Sequence, residues 1–192
     1  MTASHPLPRT LEEYITVIDD GVPEWLSRKI LAEYGGDGPW EAATVDVATD
    51  RPSVRNCHMV NLTSEARCSG QARRRVLEQN VSQLVRSWMV AYHERVLPIG
   101  LEDHTGIGLI RYRTGGYYLA HRDAHEDQHR VVSAVAVLHT DFAGGELEFF
   151  GGEPTIALRP GQVCLFPSSF QYPHAVLPVT AGTRYSLVTW LR

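Results

Sequence analysis

Arg111-Tyr112-Arg113-Thr114-Gly115-Gly116-Tyr117-Tyr118-Leu119-Ala120-His121-Arg122-Asp123 is the stretch on which both fold and chemistry turn. It reads as two short strands, Gly108–Arg113 and Tyr117–His121, on either side of a Gly-Gly turn. Side chains alternate faces along a strand, so His121 and Asp123 project to the same side and can bind one ion. A His-x-Asp pair is a weak signal alone. It gains weight from His174, which sits in a β-rich segment after the Pro160-Gly161 turn and the strand Gln162–Phe166. Arg184 follows ten residues later, with Ser186 two beyond it on the same strand face.

Outward from that stretch the pattern continues. Between Gly, Pro or Asp turns come Val131–His139, Glu146–Phe150, Thr155–Leu158, Gln162–Phe166, His174–Val179 and Thr183–Leu191, eight short β-rich runs in all. Strands at that spacing predict a jelly-roll or barrel-like sandwich. The chain before Ile107 is different. Pro23 is placed at a first helical position, Trp25, Leu26, Ile30, Leu31 and Tyr34 follow at helical spacing, and Gly35-Gly36 stops the helix. A longer helix is predicted over Arg73–Val96, with Leu77, Val81, Leu84, Val85, Trp88, Met89, Tyr92 and Val96 on one face; Pro98 and Gly100 close it. That stripe reads as a core face bracing one sheet. Ala43–Ala48 and Val54–Leu62 look like strands. The expected organisation is one domain over 1–192, helix-rich to about 106 and β-rich from about 107.

Composition narrows the function. The chain has 192 residues, 43% of them hydrophobic, enough for a proper core. Eighteen Lys+Arg against 22 Asp+Glu give −4, which argues against nucleic acid or an anionic membrane as the main partner. Lys29 is the only lysine among the 18 basic residues, and no GxxxxGK[ST] surrounds it, which argues against Schiff-base and P-loop chemistry. Cys57, Cys68 and Cys164 lack CxxC spacing, which disfavours a disulfide scaffold or a Cys-rich zinc site and suits a reducing, cytoplasmic compartment. No secretory or transmembrane pattern is read. Arg73-Arg74-Arg75 is too short for a nucleic-acid stripe, and Cys164 reads as core.

Two imidazoles and one carboxylate on one face of an octahedron leave three positions open, the facial triad of non-haem Fe(II) sites. A structural zinc would be closed by a fourth protein ligand, and none is evident. An arginine on the strand after His174 could supply a two-pronged donor for the remote carboxylate of a bidentate co-substrate, and the Ser186 hydroxyl could share that duty.

Tyr112-x-x-Gly115-Gly116-x-Tyr118-x-x-His121-x-Asp123, then Gly144-Gly145-Glu146-Leu147-x-Phe149, Pro160-Gly161 and Phe166, and finally His174-x-Val176-x-Pro178-Val179-x-x-Gly182-x-Arg184-x-Ser186-x-x-x-Trp190 resembles the prolyl 4-hydroxylase branch of the Fe(II)/2-oxoglutarate dioxygenases. The resemblance covers roughly residues 107–192. It implies a mainly β fold, a double-stranded β-helix with flanking helices. It also implies that His121, Asp123 and His174 hold iron, that Arg184 grips the C5 carboxylate of 2-oxoglutarate, and that Tyr112 lies in the co-substrate pocket. Prolyl 4-hydroxylases commonly carry Lys where this chain has Arg184, which keeps co-substrate binding but loosens the case for proline as substrate; relatives often have Asn at the place of His139, which points to a different pocket.

The implied cofactors are Fe(2+), 2-oxoglutarate and O2. The implied reaction hydroxylates a C–H bond of an amino acid, peptide or related small molecule, releasing succinate and CO2. Other classes stay open at this point: a metal- and 2-oxoglutarate-binding barrel that senses without turnover, or a cupin-like metal protein. Substrate contacts are sought on the loop His125–Arg130, where Arg130 and His129 are favoured, and at Arg55, Asn56 and Arg113. A homodimer is open too, with Trp25, Trp40 and the long helix as possible cover for a partner.

Overall fold

A computed structural model describes residues 7–43, 54–124 and 129–192. In chain order it has β1 (Thr16–Ile18), α1 (Glu24–Tyr34), β2 (Glu41–Ala42), β3 (Arg55–Asn56), β4 (His58–Asn61), α2 (Leu62–Cys68) and α3 (Ala72–Arg95). The remainder is strand: β5 (His104–Arg113), β6 (Tyr117–His121), β7 (Val132–Val137), β8 (Phe142–Gly144), β9 (Leu147–Phe149), β10 (Thr155–Ile156), β11 (Val163–Pro167), β12 (His174–Val176) and β13 (Val179–Leu191).

These strands form two antiparallel sheets. The larger has the order β1-β11-β7-β13-β5-β4-β2, with β8 paired to β13 off that path; the smaller runs β10-β9-β12-β6-β3. Two apolar cores result. One lies between the large sheet and the helices and takes Leu26 and Ile30 of α1, Leu77, Val81, Val85, Trp88 and Tyr92 of α3, and Leu109, Ala136, Leu165 and Leu187 of the sheet. The other includes Ile110, Tyr112, Val135, Leu147, Phe149, Phe166 and Val176 from both sheets. Period-two alternation builds both at once. Leu109 and Leu187 turn to the helices, while their strand neighbours Ile110, Ser186 and Val188 turn inward.

The sequence placed both main helices well. Pro23 is the residue just before α1 rather than its first turn, and α3 ends at Arg95. Trp88, 2% exposed, anchors α3: its indole N–H donates to the Gly21 carbonyl at 2.8 Å. Gly21 has no room for a side chain, because a Cβ there would meet Val163 Cγ1 at 2.6 Å. Trp88→Ala is therefore expected to lower the unfolding free energy by about 3–5 kcal/mol in a urea titration.

Other elements differ from expectation. Val54–Leu62 is two short strands flanking Cys57, and Leu62 already begins α2. There Asn61 caps the helix, its side chain accepting from the Ser64 N–H at 3.0 Å. Strands β1 and β8 are additional, β12 stops two residues before Pro178, and β13 starts at Val179. Of the strand expected over Ala43–Ala48, only Ala43 falls within the described residues. Trp40 covers the protein's own surface, its ring 5.9 Å from Tyr185 and under the Arg111 guanidinium at 4.3 Å.

Candidate active site

The small sheet brings the two histidines together. His174 of β12 is the register partner of His121 at the end of β6, and their ring centres lie 4.3 Å apart. Asp123 lies two residues past the end of β6, beyond the strand on which alternation placed it, yet its carboxylate still reaches the pair. Its Oδ1 is 3.5 Å from His121 Nε2 and its Oδ2 is 3.6 Å from His174 Nε2. One ligand atom from each of the three residues falls within 4.8 Å of the others.

Hydrogen bonding decides the tautomers. His121 Nδ1 lies 2.9 Å from the Leu119 carbonyl and His174 Nδ1 3.1 Å from that of Tyr172. A carbonyl oxygen only accepts, so each Nδ1 carries the proton and each Nε2 keeps its lone pair for an ion. Rings hold the imidazoles in place. Tyr118 stacks on His121 at 3.5 Å, and Phe166 meets His174 edge-on at 4.6 Å.

Burial opposes charge on Asp123. The neighbouring imidazoles of His174 and His121 and the Ser133 hydroxyl outweigh it, and its carboxyl is held below the ordinary range. Burial pushes His174 down, with Asp123 opposing and His121 reinforcing the shift. For a histidine lowered on folding, the unfolded chain takes up the proton first as pH falls. The stability contributed by neutral His174 is thus complete above about pH 6.5 and is lost as pH drops below that value. In the metal-free protein, His174→Ala should flatten the fall in melting temperature below about pH 6.5, measured by thermal denaturation across pH.

Arg184 enters from the other sheet. It pairs in register with Tyr112 across β13 and β5, and Ser186 pairs with Ile110. Its side chain is 1% exposed, and NH1 donates to Ser186 Oγ at 3.0 Å. Its Nε–H has no hydrogen-bond partner among the described residues. Burial presses the guanidinium pKa down. Room for the side chain comes from Gly145, with φ +72°, where a Cβ would meet Arg184 Cδ at 2.7 Å.

One cavity of about 900 Å³ joins these groups. His121, Asp123, His174, Tyr112, Arg184 and Ser186 all line it, with Ile110, Leu147, Val176 and Val188 as its apolar wall. Arg130 and Arg55 line it as well. Arg130 lies over Trp190 at 3.8 Å and donates to the Asp123 carbonyl at 3.1 Å, while Arg55 lies over Tyr118 at 4.6 Å.

The other expected substrate contacts are elsewhere. Arg113, Asn56 and His129 are exposed and do not line this cavity. Arg113 points out because it is one residue out of phase with Tyr112, and the Asn56 amide donates to the Gly115 carbonyl at 3.2 Å. Residues 125–128 of the loop His125–Arg130 lie outside the described residues. His139 packs between Phe142 and Tyr185, away from the cavity. Ser133 went unnoticed in the sequence, although a lone serine in Val131–Leu138 was a visible signal.

The model of the 2OG-Fe(II) oxygenase superfamily matches residues 107–192, the part of the chain that carries every one of these inward groups except Arg55. Over residues 107–192 the chain is thus similar to the 2OG-Fe(II) oxygenases. A PKHD-type hydroxylase of Idiomarina loihiensis is 35% identical over 92 residues, covering 45% of this chain and 41% of the relative. The match thus spans less than half of that hydroxylase's length. Among solved structures, a Pseudomonas putida prolyl-4-hydroxylase has TM-score 0.70 at 25% identity, covering 93% of this chain and 92% of that one. A Trichoplax adhaerens prolyl hydroxylase, in complex with a hypoxia inducible factor oxygen degradation domain peptide fragment, has TM-score 0.73 at 19% identity, covering 93% and 83%. At that identity the likeness is one of fold.

The likeness is to the prolyl 4-hydroxylase-like branch, and the architecture is that of a mainly β, jelly-roll core with flanking helices. The 2OG-Fe(II) oxygenases use Fe(2+), 2-oxoglutarate and O2, and the site suits them. Two neutral imidazoles and one carboxylate are the donor set of a non-haem Fe(II) centre. The buried Arg184 Nε–H awaits an acceptor, as a co-substrate carboxylate would provide. No helix among the described residues is long and apolar enough to cross a membrane.

Proposed function

We propose that this protein is a 2OG-Fe(II) oxygenase that hydroxylates an unactivated C–H bond of an amino acid, peptide or related small molecule, converting 2-oxoglutarate to succinate. The observation that carries the reading is one cavity holding both the His121–Asp123–His174 cluster and the buried Arg184. When bound, Fe(II) supplies the O2 activation that couples decarboxylation of 2-oxoglutarate to oxidation of the substrate.

The chain's own residues do the rest. His121, Asp123 and His174 hold the metal from one side and leave the opposite side open to ligands. Arg184, with Ser186, receives the C5 carboxylate on its N–H edge, and Tyr112 closes the pocket beside it. Ile110, Leu147, Val176 and Val188 exclude water from that contact, which strengthens it. Arg130 and Arg55, each flattened on an aromatic ring, border the side where substrate enters. A cupin-like metal protein explains this cavity less well, since a metal site alone has no use for Arg184; a sensing barrel would share that anchor and differs in turnover. The three thiols are free, in keeping with a cytoplasmic setting.

The test is turnover on pools of amino acids and peptides with Fe(II), 2-oxoglutarate and ¹⁸O₂. The expected result is succinate together with one pool component heavier by one ¹⁸O atom. Tight 2-oxoglutarate binding with neither product from any pool would favour the sensing barrel.

A further inference from the structure

Every residue of β7 is buried, and Ser133 is its one polar member. A hydroxyl placed there costs about 1–3 kcal/mol unless it is bonded. Ser133 Oγ lies 2.7 Å from Asp123 Oδ2 and 2.8 Å from Ser168 Oγ, and both serines are 1% exposed. Proton counting fixes the direction of the chain. An ionised carboxylate only accepts and a serine has one hydroxyl proton, so Ser133 donates to Asp123 and Ser168 donates to Ser133. Each bond polarises the next, the more so because both serines are buried.

Asp123 needs such a device. It lies two residues past the end of β6, where strand pairing no longer fixes it. Both serines, by contrast, are tied to the large sheet. Ser133 is within β7, and the Ser168 N–H, one residue past β11, donates to the Val131 carbonyl at 2.9 Å. The rigid sheet thereby reaches across the cavity to the one ligand that its own strand does not hold.

We propose that Ser133, backed by Ser168, is a positioning residue that orients the Asp123 carboxylate for metal binding. The inference rests on the metal-binding reading of the triad. The hydroxyl occupies one lone pair of Oδ2 and so fixes the rotation of the carboxylate, biasing which lone pairs of Asp123 face an ion beside His121 and His174. A serine that merely filled space would have no such effect.

Mn(II) affinity, followed by electron paramagnetic resonance on the full chain without oxygen or turnover, separates the two. Ser133→Ala should weaken Mn(II) binding by on the order of 10–100-fold, Ser133→Thr should stay near wild type, and Ser168→Ala should show a smaller loss. Unchanged Mn(II) affinity in Ser133→Ala would overturn the relay alone. A wild-type chain that binds no Mn(II) would overturn the metal reading and the relay with it. If Ser133→Ala does not fold, the other two variants decide: weakened binding in Ser168→Ala with near-normal binding in Ser133→Thr supports the relay, and any other pattern contradicts it.

Discussion

Replacing Arg184 by alanine is expected to weaken 2-oxoglutarate binding by roughly 100-fold or more, the equivalent of about 3 kcal/mol. Two circumstances make the effect large. Arg184 is 1% exposed, so its bond to a carboxylate forms largely out of water. Its Nε–H has no protein partner among the described residues, and the co-substrate would satisfy it. The alanine variant would leave the incoming C5 carboxylate with only the Ser186 and Tyr112 hydroxyls beside it and no charge to balance it. Arg184→Lys should recover part of the loss, because it restores the charge without the two-pronged edge. Isothermal titration with 2-oxoglutarate in the presence of Mn(II) reads both variants. Equal affinity in wild type and Arg184→Ala would remove the residue from the co-substrate site.

Loss of a metal ligand should be larger still. His174→Ala and Asp123→Ala are each expected to weaken Mn(II) binding beyond the about 10–100-fold typical of outer supporting groups. In Asp123→Ala the two imidazoles remain, but the carboxylate that balances the ion's charge is gone. Asp123→Asn retains the shape and loses the charge, and should resemble the alanine variant. Electron paramagnetic resonance titration measures all three. Near-normal Mn(II) binding in any of them would exclude that residue from the metal site.

How legible the site was depended on which physical signal carried each part. Alternation along β13 put Arg184 and Ser186 on one face, and that much can be read directly from sequence. Their alignment with Tyr112 and Ile110 depends on register, which only the paired strands disclose. Asp123 shows the converse: strand alternation gave the correct partner for His121 through an element that had already ended. Arg113, Arg55 and Asn56 looked alike as charged or polar candidates. One faces the cavity and two do not, because exposure depends on phase and on neighbouring strands. The three-residue strands β1 and β8 and the seven-residue α2 were missed because so few residues establish no periodicity. Asn61 before Leu62 was the available cue for α2, since its side chain caps the helix. The burial of Ser133 depends on both faces of β7 being covered, which the apolar run suggests and the two cores complete.

The central claim is that His121, Asp123, His174 and Arg184 together seat Fe(II) and 2-oxoglutarate in one cavity. Anaerobic titration of the metal-free chain with Fe(II) and then 2-oxoglutarate tests it most directly, through the visible charge-transfer absorption of the Fe(II)–2-oxoglutarate chelate. The account predicts a band that saturates at one equivalent of iron, needs both components, and is absent in His174→Ala. A correctly folded wild-type chain that shows no band at saturating Fe(II) and 2-oxoglutarate would contradict it.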